Sequence, residues 1–226
     1  MIATRQADIA FCCGTEAPLS YQPMLELGVI GLSPRNARKP EEMGRPFDLW
    51  RNTGVIGEGA CMVILEPEES PREPYAWIDG YASANDEDGP SGNGLTATMK
   101  MALANARRRA DEIDLINAWG SGHAVLDRTE AASLYQIFGE KLTKTPAVSL
   151  KGAIGNPFAA AGPIQVASVS LSLKTGRLPP TVNWETPDPE CPLHLCREAR
   201  DIGFNFALIN AHGISGNNAS MILRRP

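Results

Sequence analysis

A serine and a histidine lie two residues apart in the segment Trp119-Gly120-Ser121-Gly122-His123. Serine hydrolases use such a pair, because the imidazole removes the proton from the attacking hydroxyl. The segment lacks the G-x-S-x-G spacing of those enzymes, and the sequence identifies no acidic third member. We therefore do not predict a hydrolase from this pair.

Two other groupings resemble binding motifs only superficially. The glycine-rich run 54–59 precedes an apolar segment and lacks G-x-G-x-x-G spacing, so it predicts a close backbone approach to a strand instead of a nucleotide site. Cys191, His194 and Cys196 could supply three zinc ligands, but no second ligand group accompanies them. We predict neither a metal ion nor a cofactor.

The cysteines indicate a reducing environment. There are five, an odd number, and no two of them have C-x-x-C spacing. Cys12, Cys13 and Cys61 lie in strongly apolar runs. This pattern is typical of buried, reduced thiols in a cytoplasmic protein.

Three polar clusters, at residues 117–127, 149–156 and 210–218, follow apolar runs. Gly, Asn and Ser also serve tight turns, so any one cluster has a purely structural explanation. In α/β proteins, however, sites are built where strands end. Three clusters at such positions together predict a shared cleft.

The elements that must position these clusters follow from hydrophobic periodicity. Short apolar runs alternate with helical patterns, which predicts an α/β fold with a largely buried sheet. The predicted strands span residues 8–13, 60–66, 75–81, 115–118, 147–150, 206–210 and 219–223. The first of them reads as buried on both faces.

Three amphipathic or apolar helices are predicted between these strands. The first spans residues 95–109, and the second spans 127–138, with Asp127 as its N-cap and Gly139 as its end. The third spans 163–174 and ends at Gly176. Its residues are small or apolar nearly all round, which predicts a helix buried on all sides.

Composition excludes several functional classes. The net charge of -5 argues against the broad basic surface of a nucleic-acid-binding protein. No apolar stretch approaches the ~20 residues that span a bilayer, and the first residues do not resemble a signal peptide. We expect a cytoplasmic protein without a membrane span.

Several motifs follow one another along the chain. They are A-D-x-x-x-x-C-G-x-E-A at 7–17, R-P-F-D at 45–48 with G-E-G-A at 57–60, N-A-W-G at 117–120 with Asp127 and Glu130, S-x-K-x-x-x-G-N at 149–156, A-A-G at 160–162, P-P-T-V-N at 179–183, and a tail from Asn210 through Gly213 and Gly216 to Ala219. In order and spacing they resemble the beta-ketoacyl synthases of the thiolase superfamily, which elongate fatty acid and polyketide chains.

The resemblance implies a site with altered reactive residues. The first family histidine falls on Trp119 and the second on Asn156, while Lys151, Asp127 and Glu130 match the family pattern. An indole has no basic nitrogen and is bulkier than an imidazole, whereas an amide can still donate a hydrogen bond. Gly213 and Gly216 fall in the family's closing glycine-rich loop.

The family nucleophile is a cysteine about twenty residues before the A-D motif, and only six residues precede Ala7 here. We expect that position to be absent. Cys12, Cys13 and Cys61 lie mid-strand and are poor substitutes, because an apolar setting keeps a thiol inert. Condensation by this chain alone is not expected.

The resemblance also implies an architecture and partners. We expect a thiolase-like layered α/β fold, with residues 1–74 as a remnant of the N-terminal half and 75–226 as a complete C-terminal half. Three functions remain open: a non-catalytic subunit that pairs with an active ketosynthase or a separate N-terminal half, a malonyl-carrier decarboxylase or acyltransferase completed in trans, and a truncated inactive gene product. An acyl carrier protein is a further expected partner.

Overall fold

A six-stranded sheet forms the centre of the fold. The computed structural model describes residues 1–34, 39–87, 91–213 and 215–226. Its strands are β3 Trp77–Asn85, β4 Leu115–Asn117, β5 Pro146–Val148, β7 His194–Leu195, β9 Phe206–His212 and β10 Asn217–Arg224. They lie in the order β3-β10-β9-β4-β5-β7. Strands β9, β4, β5 and β7 are parallel, whereas β10 runs antiparallel to both of its neighbours.

Two helices cover one face of this sheet, and their apolar residues form the larger core. Helix α2 spans Asn93–Ala106 and α3 spans Ala124–Phe138. Leu95 and Met99 of α2 and Leu134 of α3 are fully buried in one cluster with sheet residues. The two helices were predicted from their periodicity, and both are confirmed with shifted ends.

The predicted N-cap of α3 is wrong. The helix begins at Ala124, and its N-cap is His123, whose Nδ1 accepts hydrogen bonds from the amides of Val125 and Leu126. Asp127 lies inside the first turn and is fully buried, and its carboxylate accepts hydrogen bonds from the amides of Phe47 and Gly122 instead of capping the helix.

The opposite face of the sheet packs on α5, which spans Ala161–Thr175 and ends at Gly176 in a left-handed conformation. Val169 and Leu173 enter a second core cluster with residues of the sheet. The prediction that this helix is buried all round is wrong for this chain. Leu171 is 52% exposed, because no described element covers the side of α5 on which it lies.

A separate two-stranded sheet lies on the far side of α5. It consists of β1, Ala10–Glu16, and β2, Gly59–Leu65, paired antiparallel. Gly14 approaches the backbone of Ala159, and Gly59 approaches the side chain of Ile164. The order α2/α3, sheet, α5, sheet gives the layered α/β architecture that was predicted.

Burial of β1 on both faces was also predicted, and it is wrong. Phe11 is 64% exposed, and its cross-strand partner Ile64 is 54% exposed. Cys13, which was expected to be buried, is exposed, and Cys12 and Cys61 are only half-buried. One face of this sheet packs toward α5, and no described element covers the other face.

The remaining elements are short. Helix α1 spans Tyr21–Val29 and has no buried residue, and α4 spans Lys151–Ile154. Strands β6, Arg177–Leu178, and β8, Arg200–Asp201, form a small antiparallel pair. Among the described residues, none of the helices combines the length and apolarity needed to cross a bilayer.

Candidate functional site

The indole of Trp119 stacks on the side chain of Lys151. Trp119 lies two residues beyond the end of β4, and Lys151 begins α4 just after β5. The Lys151 ammonium lies 3.5 Å from the centroid of the Trp119 ring and donates a 2.7 Å hydrogen bond to the Trp119 carbonyl. Because β4 and β5 are adjacent parallel strands, their carboxyl ends bring these residues together.

Lys151 is almost completely buried. Burial lowers the pKa of its amine to about 7, although the nearby carboxylates of Glu130 and Asp127 oppose this shift. A desolvated ammonium is costly, and the ring of Trp119 compensates for part of the lost hydration through its quadrupole. The site thus contains an amine that is readily deprotonated.

Glu130, on α3, fixes the backbone of the loop that bears the indole. One carboxylate oxygen accepts the amide of Trp119 at 2.8 Å, and the other accepts that of Gly120 at 2.9 Å. Gly120 has a φ of 46°, and a Cβ there would lie 2.6 Å from Ser149 Oγ. This close approach requires glycine, so the loop conformation is determined by packing on both sides.

Asp127 holds the next part of the same loop. Its carboxylate accepts hydrogen bonds from the amides of Phe47 and Gly122 and from the Ser121 hydroxyl. Burial raises the pKa of Asp127 to about 7, despite these bonds. Asp127 therefore acts as a structural acceptor.

Asn156 lies across a small cavity from the indole. Its backbone amide donates to Val55 at 2.7 Å, and its side-chain Oδ1 is buried without a hydrogen-bond partner among the described residues. The cavity has a volume of about 20 Å³. It is lined by Leu32, Gly54, Val55, Ile56, Trp119, Ser121, His123, Leu126, Asn156 and Phe158. Such a volume holds about one water molecule.

The Ser121–His123 pair is not a hydrolytic dyad. The Ser121 hydroxyl donates to Asp127 at 3.2 Å, while His123 Nδ1 faces the amides at the start of α3. Burial and the cationic Arg51 lower the pKa of His123. The sequence did not predict that this imidazole caps α3 and lines the cavity. Its position immediately before the helix is the feature that could have indicated the capping role.

Gly213 and Gly216 lie at the turn between β9 and β10. Neither glycine lines the cavity beside Trp119. Gly216 has a φ of 81°, and its carbonyl accepts the amide of Asp86 and the side chain of Asn218. The tail motif residue 214 lies outside the described residues. Next to this turn, the buried His212 pairs through Nδ1 with the Asn218 side chain, a contact that the sequence did not predict.

A buried network of ion pairs, which the sequence did not predict, anchors residues 45–51. Arg51 donates to Asp188 at 2.6 Å, and its Nε lies 3.9 Å from the carboxylate of Asp127. Arg45 pairs with Asp48 at 3.1 Å. Although burial opposes ionisation, the hydrogen bond from Arg45 and bonds from backbone amides lower the pKa of Asp48. The R-P-F-D motif was visible in the sequence, but its partner Glu185, whose amide donates to Asp48 from 137 residues away, was not.

The candidate zinc ligands have other roles in this fold. Cys191 donates to Asp188 at 3.8 Å, and burial raises the pKa of its thiol to about 12. The His194 ring instead contacts the Lys144 carbonyl at 3.3 Å. Cys191 and Cys196 are buried, as predicted. Among the described residues, no three His, Cys, Asp or Glu side chains are grouped so as to hold a metal ion.

The layered sheets and the strand-end site define a thiolase-like α/β protein. Family models described as Beta-ketoacyl synthase, N-terminal domain and Beta-ketoacyl synthase, C-terminal domain match residues 1–70 and 75–185. The chain therefore belongs to the beta-ketoacyl synthase family.

Individual relatives agree with this assignment. Over its whole length the chain is 32% identical to the tetracenomycin polyketide synthase ketoacyl synthase alpha subunit of Streptomyces glaucescens, of which it covers 55%. It is 34% identical to 3-oxoacyl-[acyl-carrier-protein] synthase 2 of Rhizobium meliloti (strain 1021), again over its whole length and covering 56% of that protein. Its relatives thus include a polyketide synthase subunit and a 3-oxoacyl-[acyl-carrier-protein] synthase.

Solved structures share the fold. The complex AntDE:AntF, a type II polyketide synthase acyl-carrier protein with its ketosynthase bound to the hexaketide, superposes on all of this chain with a TM-score of 0.94 and 30% identity, and 58% of that protein is covered. The ishigamide ketosynthase/chain length factor superposes on all of it with a TM-score of 0.90 and 28% identity, with 56% covered. The chain thus spans a little over half the length of each of these four proteins.

Proposed function

We propose that the chain is a non-catalytic ketosynthase-like subunit of fatty acid or polyketide chain elongation, which pairs with an active ketosynthase or with a separate N-terminal half. One observation carries the proposal: the indole of Trp119 stands where the family resemblance implies a histidine, and it packs against Lys151. An indole cannot accept a proton, so it cannot perform the acid–base work of an imidazole.

The size of the cavity supports the same conclusion. About 20 Å³ remains between Trp119 and Asn156. That is far below the roughly 300 Å³ at the lower end of small-molecule sites. A malonyl thioester would have to displace the indole, which is held through the Glu130 bond to its backbone.

Exposed apolar surface supports the pairing. We call the side chains of Phe11, Cys13, Met62 and Ile64 the outer face of the two-stranded sheet; they lie on one side and carry no charge. Apolar surface of this kind is characteristic of a protein interface. We also propose an acyl carrier protein as a further partner, since one similar structure is a ketosynthase complex with such a carrier.

Co-purification tests this proposal. The chain should be expressed alone and with candidate ketosynthases from the same genome, and the complexes should be sized by light scattering. We expect a stable heteromer in which the chain adds no condensing activity of its own. A stable monomer that never associates with a ketosynthase would refute the pairing, and condensation by the chain alone would refute the non-catalytic role.

A second candidate, decarboxylation of a malonyl carrier or acyl transfer completed by a partner's cysteine, is favoured by Lys151 and Asn156. Both lie beside Trp119, and both can donate toward a thioester oxygen. Decarboxylation by the reconstituted pair should then fall by at least tenfold in Lys151→Ala and Asn156→Ala. Unchanged rates in both variants would count against this candidate.

We propose further that residues 1–74 and 75–226 belong to the N-terminal and C-terminal halves of the thiolase-like fold. The family models that meet between residues 70 and 75 support this division. A cytoplasmic location and the lack of a cofactor stay predictions.

A further inference from the structure

His212 is a buried imidazole whose two ring nitrogens have different surroundings. It is the last residue of β9 and is only 2% exposed. Its Nδ1 contacts the side-chain Oδ1 of Asn218, its cross-strand partner on β10. Its Nε2 is buried and has no hydrogen-bond partner among the described residues. Because nearly all buried polar groups in folded proteins are paired, this nitrogen requires an explanation.

The Asn218 amide determines which nitrogen of the ring carries a hydrogen. Its Nδ2 donates to the Asp86 carboxylate at 3.1 Å and to the Gly216 carbonyl at 2.8 Å, so both amide hydrogens are used. The Oδ1 that faces His212 can only accept, and Nδ1 is therefore the ring nitrogen that donates. In the neutral ring, Nε2 is then a basic lone pair without a donor. A proton taken up by this imidazole therefore binds at Nε2.

The charged groups around the ring belong to three elements. Asp86, in the loop after β3, carries one carboxylate whose charge interacts with that of His212. Glu130 of α3 carries the other, and the Lys151 ammonium of α4 acts on Glu130 as well. The polar side chains that α2 and β10 contribute to this part of the core are uncharged: Thr98, Asn218 and Ser220.

Glu130 lies on the same side of β9 as the His212 ring. Leu208, Asn210 and His212 alternate along the strand, and this side faces α2 and α3, because Leu208 belongs to the core cluster of those helices. The Asn210 side chain donates to Glu130 Oε1 at 3.3 Å. Glu130 Oε2 accepts one hydrogen bond from the described residues, that of the Gly120 amide at 2.9 Å, so it can accept another. A proton on Nε2 thus has a carboxylate available on its own side of the sheet.

The ionised form of Glu130 benefits from such a cation. Burial raises the pKa of this carboxyl, although the hydrogen bonds from the Gly120 and Trp119 amides and the charges of His212 and Lys151 oppose the shift. Protonation of Glu130 would turn one acceptor oxygen into a donor and would weaken its hold on the two loop amides. A positive charge on His212 disfavours that protonation.

We propose that His212 is a pH-dependent lock on the loop that bears Trp119: when Nε2 takes up a proton from solvent, the ring pairs with the Glu130 carboxylate and keeps it ionised as the pH falls. The lock preserves the Glu130 bonds to the amides of Trp119 and Gly120 in acid, and it thereby keeps the indole on Lys151. It is a property of this chain alone and does not depend on pairing with a ketosynthase.

Nitrogen NMR of labelled histidine rings in the full chain tests the protonation step. The chain has three histidines, so each ring can be assigned by substitution. We expect the neutral His212 ring to carry its hydrogen on Nδ1 and to gain a second hydrogen on Nε2 as the pH is lowered. A neutral ring with its hydrogen on Nε2, or a ring that stays neutral until the protein unfolds in acid, would overturn the proposal.

Amide hydrogen exchange tests the lock itself. His212→Phe replaces the imidazole with a ring that cannot be protonated, and His212→Gln, which keeps a donor for Asn218, serves if the first variant does not fold. The measured quantity is the exchange rate of the Trp119 and Gly120 amides in the variant divided by that in the wild type. We expect this ratio to be at least about threefold larger at about pH 5 than at about pH 8, where an imidazole is ordinarily neutral.

Comparing the two pH values separates the lock from a purely structural role of the ring, which would change exchange equally at both. His194→Phe is the matched control, because the His194 ring contacts the Lys144 carbonyl on another part of the chain, and its ratio should not change with pH. The same ratio at both pH values in a folded His212 variant would refute the lock.

Discussion

The Lys151 ammonium lies 3.5 Å from the centre of the Trp119 ring, although the two residues are 32 positions apart in the chain. The contact joins the ends of two adjacent parallel strands and covers a buried amine whose pKa burial lowers to about 7. The indole therefore both lines the cavity and covers the buried amine.

Removing the indole should expose this amine. In Trp119→Ala we expect Lys151 to react with an amine-acylating reagent faster than in the wild type, because a large part of the cover of its buried amine is gone. Mass-spectrometric peptide mapping measures the modification. Trp119→Phe, which keeps an aromatic ring, should remain protected as the wild type does. Equal protection of Lys151 in the alanine variant would show that the indole is not the shield.

The pH dependence of stability should report the buried lysine. The pKa of Lys151 is about 7 in the fold and near 10.5 when unfolded. Between these values the unfolded chain binds more protons, so the free energy of unfolding rises with pH. Between pH 7 and about pH 9.5, Lys151 should raise the free energy of unfolding by an amount on the order of 3 kcal/mol.

Lys151→Met should flatten this rise in urea unfolding measured from neutral to alkaline pH. Lys174→Met, at a partly exposed lysine, should keep the wild-type slope. If Lys151→Met and the wild type have the same slope, Lys151 does not titrate in this range.

The buried ion pairs of Arg51 should be important for stability. Arg51→Met leaves the carboxylates of Asp188 and Asp127 without their cation, and we expect a loss of about 3 kcal/mol in the free energy of unfolding at neutral pH. Because Arg51 helps to lower the pKa of Asp188 despite its burial, the loss should shrink as acid protonates this carboxyl. Chemical denaturation at several pH values tests both effects. Arg109→Met, at an exposed ion pair, is the control and should change the free energy of unfolding little. A similar loss in Arg51→Met and Arg109→Met would argue against a special role for the buried ion pairs of Arg51.

The outer face of the two-stranded sheet should contribute to pairing. Phe11→Glu and Ile64→Glu place charges on exposed cross-strand neighbours, so we expect an unchanged melting temperature and at least a tenfold weaker association with the ketosynthase partner. Sedimentation or light scattering of the mixed proteins measures this association. Val125→Glu introduces a charge at another exposed apolar position and should leave pairing unchanged. Intact pairing in both sheet variants would place the interface elsewhere.

Much of the fold was predictable from local pattern. Each predicted strand overlaps an observed one, and the helices at 95–109, 127–138 and 163–174 correspond to α2, α3 and α5. The ends were less accurate: the cap of α3 was assigned to Asp127 because aspartate is a common N-cap, whereas a histidine fills that role. An imidazole acceptor is recognised only once its orientation is known.

The sequence by itself determined the family motifs and the alternation of elements, and it predicted, through the family resemblance, that Trp119 and Asn156 stand at the family's histidine positions. Only the tertiary structure decided which of these residues touch: the indole on Lys151, Asp127 under the 119–122 loop, and Arg51 on Asp188. It also decided that β1 is exposed on one side, which its apolar sequence could not reveal. The physical reason is that periodicity records what a residue can bury, whereas burial, hydrogen-bond partners and shifted pKa values depend on neighbours distant along the chain.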